Sequence, residues 1–213
     1  LFRSIMPTTS IPREKITGLL LAGGLGTRMG HIDKGLLPME NSTLASLSIQ
    51  RLAPQVGSVL INANRNLATY AQFGYPVVQD ETNEHAGPLA GMHAGLGQCK
   101  TPYLLTVPCD SPAFPRDLAQ RLAFAMKLAA ADLAFVVTGE HSRPELHPVF
   151  CLMKTTLLPS LEVYLRNGGR KVTGWLLQQA HAQTHFSDEV AFVNINTPHD
   201  LKRFTSDRKS TRL

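Results

Sequence analysis

Cysteine is scarce in this chain of 213 residues. The three present, Cys99, Cys109 and Cys151, are odd in number and lack any C-x-x-C spacing, which speaks against a disulfide framework and against a thiolate zinc site. A reducing cytoplasm is the compartment expected on that basis. Long hydrophobic runs are lacking as well. The richest, residues 118–137, is broken by Arg121, Lys127 and Asp132, so it cannot cross a bilayer as one helix. Residues 1–15 hold no apolar core of the kind a secretory signal needs. There is no internal repeat and no low-complexity tract, and charged residues make up only 17%, so the composition is that of a globular protein.

A basic face is the next absence. The formal charge is +5, which invites a nucleic-acid reading until the charges are located. Residues 1–15 carry Arg3, Arg13 and Lys15 against Glu14, a net +2, and residues 202–213 carry five cations against Asp207, a net +4. Subtracting both from +5 leaves −1 for residues 16–201. The basicity belongs to the two ends, and nucleic-acid binding loses its main support. The expected organisation is a single domain over residues 16–204, with residues 1–15 and 205–213 as disordered tails.

What the chain does have is alternation. Short apolar runs read as strands at residues 16–22, 56–63, 75–79, 103–107, 133–138, 149–152 and 191–195. Helical patterns lie between them at 43–53, 87–99, 115–130, 155–166 and 172–180, and Thr197 opens a last helix. Strands joined by crossover helices predict an α/β fold, a three-layer sandwich of a mostly parallel sheet with helices on both faces. Ligands in such sheets sit beyond the carboxyl ends of the strands. Four segments place chemistry there: a glycine-rich loop after the first strand, Asn62 and Asn64 after the second, Asp80 after the third, and Cys109 with Asp110 after the fourth.

The glycine-rich loop is the most informative. Gly23, Gly24, Gly26 and Gly30 allow positive φ and close backbone approach, so main-chain N–H groups can face phosphate oxygens. Arg28 supplies a bidentate fork for phosphate, and Lys34, in Asp33-Lys34-Gly35, a compact positive charge. A dinucleotide fingerprint would need a tighter glycine spacing and an acid at the end of strand two. A P-loop would need its lysine after the last glycine, followed by Ser or Thr. Neither pattern is present. A plain glycine-rich turn with solvated Arg and Lys stays open, but Arg28 and Lys34 bracketing the glycines after a buried strand favour a polyphosphate cradle. Asp110 at the same edge is where one carboxylate would hold Mg²⁺ together with phosphate oxygens. Asp80 can accept two hydrogen bonds from adjacent N–H groups, as guanine presents and the pairing edge of cytosine does not. No base partners Cys109, which reads as a small buried residue. Gly87-Pro88-Leu89-Ala90-Gly91 opens a helix with small residues, suited to an anion at its N-terminus or to plain packing on the sheet.

In order along the chain, Leu-Ala-Gly-Gly-x-x-x-Arg-Met-Gly, Asp-Lys-Gly, Asn-Ala-Asn, Gly-Pro-Leu-Ala-Gly, Pro-Cys-Asp-Ser-Pro, His-Pro and Asn-x-Asn-Thr-Pro resemble the molybdenum cofactor guanylyltransferases, from about residue 16 to 204. The resemblance implies a Rossmann-like sheet of the nucleotide-diphospho-sugar transferase type, and transfer of GMP from GTP to the phosphate of molybdopterin with release of pyrophosphate. It implies that Leu21, Ala22, Gly23, Lys34, Asn62, Asp80 and Asp110 contact GTP. Arg28, Lys34 and Asp110 would be catalytic, and Asp110 would carry Mg²⁺ or Mn²⁺. His147, Arg170, Lys171, Asn194 and Asn196 would lie on the pterin side. Transient contact with proteins that deliver or receive the cofactor is implied too, in the cytoplasm, without nucleic acid or membrane. Gly26-Thr27 before Arg28 is a departure also common in sugar nucleotidyltransferases. Transfer to a sugar phosphate, cytidylyl transfer to the pterin, and a non-catalytic nucleotide-binding module are the alternatives.

Overall fold

The computed structural model describes residues 11–22, 33–39, 42–81, 87–140, 142–195 and 200. Its described elements run β1 (Ile16–Leu21), β2 (Pro38–Met39), β3 (Ser42–Thr43), α1 (Leu44–Leu52), β4 (Ser58–Asn62), α2 (Leu67–Ala71), β5 (Val77–Val78), α3 (Pro88–Gln98), β6 (Tyr103–Pro108), α4 (Leu118–Leu128), β7 (Leu133–Glu140), β8 (Arg143–Lys154), α5 (Leu158–Arg166), α6 (Val172–Leu176) and β9 (His181–His185), with short 3₁₀ turns between some of them. Seven strands form one sheet in the order β5-β4-β1-β6-β8-β7-β9, and β2 and β3 form a small antiparallel ribbon. Within the large sheet β8 alone runs against its neighbours, so the mostly parallel α/β architecture expected from the sequence holds.

Alternation along the strands makes the layers. Leu20, Ile61, Val107 and Val136 point into one apolar core, which also takes Ile49 and Leu52 of α1 and Leu118 and Leu122 of α4. Leu19, Leu21, Leu104 and Phe135 point into the other, with Leu89, Met92 and Leu96 of α3, Leu161 of α5 and Trp175 of α6. Successive side chains leave opposite faces of a strand, and both faces here are covered, which is why β1 reads as the unbroken run Ile-Thr-Gly-Leu-Leu-Leu. α3 lies close on this run. A Cβ on Gly95 would collide with the buried side chain of Leu19, and one on Gly91 with Leu21 and Asn62. The small residues at the start of α3 therefore serve helix–sheet packing.

Three sequence expectations change. Residues 11–15, assigned to a tail, are built into the fold: Ile11 is buried in the first core and Arg13–Lys15 forms a 3₁₀ turn. The strand expected at 149–152 is the end of a twelve-residue strand, β8, whose first half carries exposed polar residues and so no apolar signal. Pairing with β7 jumps from Phe135↔Cys151 to Val136↔His147, leaving Pro148, which has no N–H to give to the ladder, inside an irregularity. The strand expected at 191–195 is replaced by a 3₁₀ turn, Val190–Phe192. Phe192 there plugs an aromatic cluster, 5.0 Å from Phe150 and 5.1 Å from Phe186 between ring centres. The last strand among the described residues is β9, where only Ala182 and Thr184 are buried, too little apolar surface to stand out in the sequence. The helix expected at Thr197 begins outside the described residues, as do residues 1–10 and the C-terminal tail.

Close contact of α3 with β1 has a measurable cost if it is violated. Gly95→Ala would improve helix propensity by about 1 kcal/mol, yet overpacking against Leu19 typically costs about 1–3 kcal/mol. Urea unfolding is expected to show a net loss of stability, and a variant as stable as the parent would contradict the tight fit.

Candidate active site

Register puts the chemistry on one edge. β4, β1 and β6 are parallel neighbours, and Leu21 at the end of β1 sits opposite Asn62 of β4 and Pro108 of β6. β5 joins them with Asn62 opposite Val78. The four carboxyl ends are flush and stay tied for a further residue, through Ala22 N–H to the Asn62 carbonyl, Ala63 N–H to Val78 and Cys109 N–H to Leu21. The segments that leave this edge carry Asn64, Asp80 and Asp110.

At the β6 end, Lys34 Nζ lies 3.5 Å from Asp110 Oδ2, with 26% and 15% of the two side chains exposed. Two residues from distant parts of the chain meet here, as the polyphosphate reading required. Burial pushes the Asp110 carboxyl above its ordinary range, and Lys34 and the backbone only partly pull it back. Among the described residues, then, the anion is only partly compensated. The loop beneath is held from several directions: Ser48 Oγ donates to the Cys109 carbonyl at 3.2 Å, Ile195 N–H to the Asp110 carbonyl at 2.8 Å, and Ser111 Oγ to Asn194 Oδ1 at 2.6 Å. Burial, then the charge of Asp110, holds the Cys109 thiol well above its usual pKa. A thiol shifted in this direction favours its protonated form, the poorer nucleophile.

At the β5 end, Asp80 is set by two asparagines. Asn62 Nδ2 donates to Oδ1 at 2.8 Å and Asn64 Nδ2 to Oδ2 at 2.7 Å, while Asn64 Oδ1 accepts the Asp80 N–H at 2.9 Å. Each carboxylate oxygen has a second acceptor direction, so the oriented carboxylate can still take two further N–H donors. Its place beyond β5 and that of Asp110 beyond β6 are three strand steps apart, about 14 Å at about 4.8 Å per step. A nucleotide laid along the edge would span them, with a base at one end and phosphates at the other.

The remaining sequence candidates divide. Leu21 and Ala22 end β1 at the centre of the edge. Asn194 is brought to the Asp110 loop through Ser111. His147 is engaged in packing: Nε2 lies 2.8 Å from the buried Thr138 hydroxyl, the ring lies 5.4 Å from Phe192, and burial lowers its pKa, opposed by Glu145 and Glu189. Arg170 and Lys171 are exposed in the connection between α5 and α6, where Arg170 donates to the carbonyls of Leu165 and Gly169. Gly23, Arg28 and Asn196 lie outside the described residues. Beside these, sequence reasoning passed over Ser111, which binds Asn194, and Asp33 next to Lys34, whose carboxylate accepts from Tyr70 Oη at 2.6 Å and Asn66 Nδ2 at 3.0 Å. A tyrosine and an aspartate 37 positions apart leave no local spacing signal.

Because its folded-state pKa is raised, ionised Asp110 costs stability at neutral pH, and that cost disappears as pH falls through the raised pKa. Asp110→Asn is therefore expected to melt no lower than the parent at pH 7, with the parent gaining relative to it as pH drops. A variant that melts well below the parent at pH 7 would contradict an under-compensated charge.

Comparison with known proteins agrees with this geometry. The family model described as MobA-like NTP transferase domain matches residues 18–183. A molybdenum cofactor guanylyltransferase from Cupriavidus necator is 52% identical over 193 residues, covering 90% of this chain and 97% of the relative. Among solved structures, molybdopterin-guanine dinucleotide biosynthesis protein A from Archaeoglobus fulgidus superposes with a TM-score of 0.71 at 22% identity, covering 91% of this chain and 99% of that one. A nucleotidyl transferase from Methanothermobacter thermautotrophicus gives 0.72 at 18% identity, covering 92% and 99%. At those identities the two structures speak for the fold alone, a three-layer α/β sandwich. The match over most of its length at half identity, and the domain model over residues 18–183, make this chain a member of the molybdenum cofactor guanylyltransferase family.

Proposed function

We propose that this chain transfers GMP from GTP to the terminal phosphate of molybdopterin. An oxygen of that phosphate attacks the α-phosphorus of GTP, the bond from the α-phosphorus to the bridging oxygen breaks, and pyrophosphate leaves. The observation that carries the reading is the Lys34–Asp110 pair on the same strand edge as the Asp80 carboxylate oriented by Asn62 and Asn64. The name shared by the relatives favours guanylyl over cytidylyl or sugar-phosphate transfer, and Asp80 suits the adjacent N1 and N2 donors of guanine.

Both reactants are polyanions, so the work of the site is to bring them together and neutralise them. Lys34 would contact the triphosphate, with backbone at Leu21, Ala22 and Gly23 along the nucleotide and Arg28 as a second cationic contact. The phosphate attacks as an anion, so no general base is needed, and a protonated Cys109 fits a route without covalent intermediate. A buried carboxylate that Lys34 only partly balances suits a divalent cation that brings its other oxygen ligands with the triphosphate. Asp110 would hold that ion, Mg²⁺ or Mn²⁺. When bound, it supplies charge neutralisation and orientation of the phosphates. Asn194, tied to Ser111 beside Asp110, is our candidate on the pterin side. Transient contact with proteins that deliver or receive the cofactor follows from a labile product.

Loss of one charge-stabilising group typically costs on the order of 10²- to 10³-fold in turnover. Lys34→Ala and Asp110→Ala are each expected to lose at least that much in pyrophosphate release from Mg²⁺-GTP with molybdopterin. Near-normal single-turnover rates in both would remove the assignment.

A further inference from the structure

Lys34 sits in a turn that is anchored in an unusual way. Asp33 precedes it and caps the 3₁₀ turn Lys34–Leu36, its Oδ1 accepting the Gly35 N–H at 3.2 Å and its carbonyl accepting Leu36 N–H at 3.1 Å. The same carboxylate is engaged from across the sheet edge. Tyr70 Oη donates to Oδ1 at 2.6 Å, and Asn66 Nδ2 donates to Oδ2 at 3.0 Å.

Both of these donors come from one short segment. Asn66 stands in the left-handed region at φ 51°, a conformation that asparagine tolerates better than most residues. It leads directly into α2, which carries Tyr70. Tyr70 is fully buried in the first core, and burial, with Cys109 and Asp33 nearby, pushes its pKa far up, so the hydroxyl remains a donor. Gly35 closes the arrangement, since a Cβ there would collide with the Tyr70 hydroxyl and come within 3.3 Å of Cys109 Sγ.

Core packing alone explains a buried tyrosine ring. It does not explain why the hydroxyl reaches the one aspartate that caps the lysine turn, nor why an asparagine in the left-handed region meets its other oxygen. With the Asp33 carboxylate bound by a phenol, an amide and a backbone N–H, all neutral, the turn is fixed while the lysine side chain is directed to Asp110. We propose that Tyr70 and Asn66 are positioning residues for the transfer reaction, acting through Asp33 to fix the turn that presents Lys34 to the triphosphate. The proposal rests on the reading that Lys34 contacts the nucleotide, and goes beyond it by assigning what holds the lysine in place.

A double-mutant cycle separates this role from a structural one. Single-turnover pyrophosphate release from saturating Mg²⁺-GTP with molybdopterin is measured for the full chain, Tyr70→Phe, Lys34→Ala and the double variant, with thermal melting of each alongside. Tyr70→Phe removes only the hydroxyl and is expected to slow release about tenfold, near the lower end of what losing a hydrogen bond to a charged group costs. In the Lys34→Ala background the same change is expected to cost less than twofold, because the residue it acts through is gone. Asn66→Gly keeps the left-handed backbone and removes the amide, so it should follow the same pattern at an exposed position where the core is untouched. Equal losses from Tyr70→Phe in both backgrounds, or no loss from either Tyr70→Phe or Asn66→Gly, would overturn the positioning role while leaving Lys34 in place. Full activity of Lys34→Ala would instead defeat the underlying reading.

Discussion

Leu21 faces Asn62 on one side and Pro108 on the other, and the flush ending of these parallel strands is the constraint from which the site follows. Hydrogen bonds of the ladder determine where each strand stops, and apolar cores on both faces hold the register, because a slip by one residue would carry Leu19 and Leu21 into the layer that receives Leu20. Polar side chains that neither apolar core takes up collect where the ladder ends, whether buried there, as Asn62 is, or partly exposed. Asn62, Asp80 and Asp110 are therefore neighbours along an edge, although they are spread over nearly fifty residues of sequence.

Electrostatics at the edge is deliberately unfinished. Asp110 is mostly buried, its carboxyl is pushed up by desolvation, and its cationic partner stands at 3.5 Å, longer than a tight charge-assisted hydrogen bond. Asp80 shows the opposite treatment, with an asparagine amide on each oxygen. Among the described residues, one carboxylate is only partly balanced by positive charge and the other is oriented with acceptor capacity to spare. That contrast matches the two ends of a nucleoside triphosphate, a polyanion needing cations and a neutral base needing directed acceptors.

Much of this was legible in the sequence because it depends on local pattern. The apolar run of β1 followed by glycines, Lys34 in Asp33-Lys34-Gly35, and acids or amides just past predicted strands marked the edge before any coordinates. What stayed hidden depends on partners far away in the chain. β9 buries little apolar surface, so its five residues look like loop, whereas Ala191, Phe192 and Ile195 look like strand, but Ala191 and Phe192 are taken up by the first core, Phe192 within an aromatic cluster, and Ile195 packs on Leu44. His147 stood out by its motif; its contacts with Thr138 and Phe192 come from other parts of the chain and gave no signal of their own. Tyr70 gave no signal at all, since nothing in its own neighbourhood names Asp33. Arg28, Gly23 and Asn196, singled out by motif, lie outside the described residues.

The most direct test of the central claim is a crystal structure of the chain with Mg²⁺ and GTP. The account predicts the guanine N1 and N2 donors at the Asp80 carboxylate, the triphosphate against Lys34, and the cation on Asp110. A triphosphate bound away from the ends of β1 and β6, or a base lying nowhere near Asp80, would contradict it.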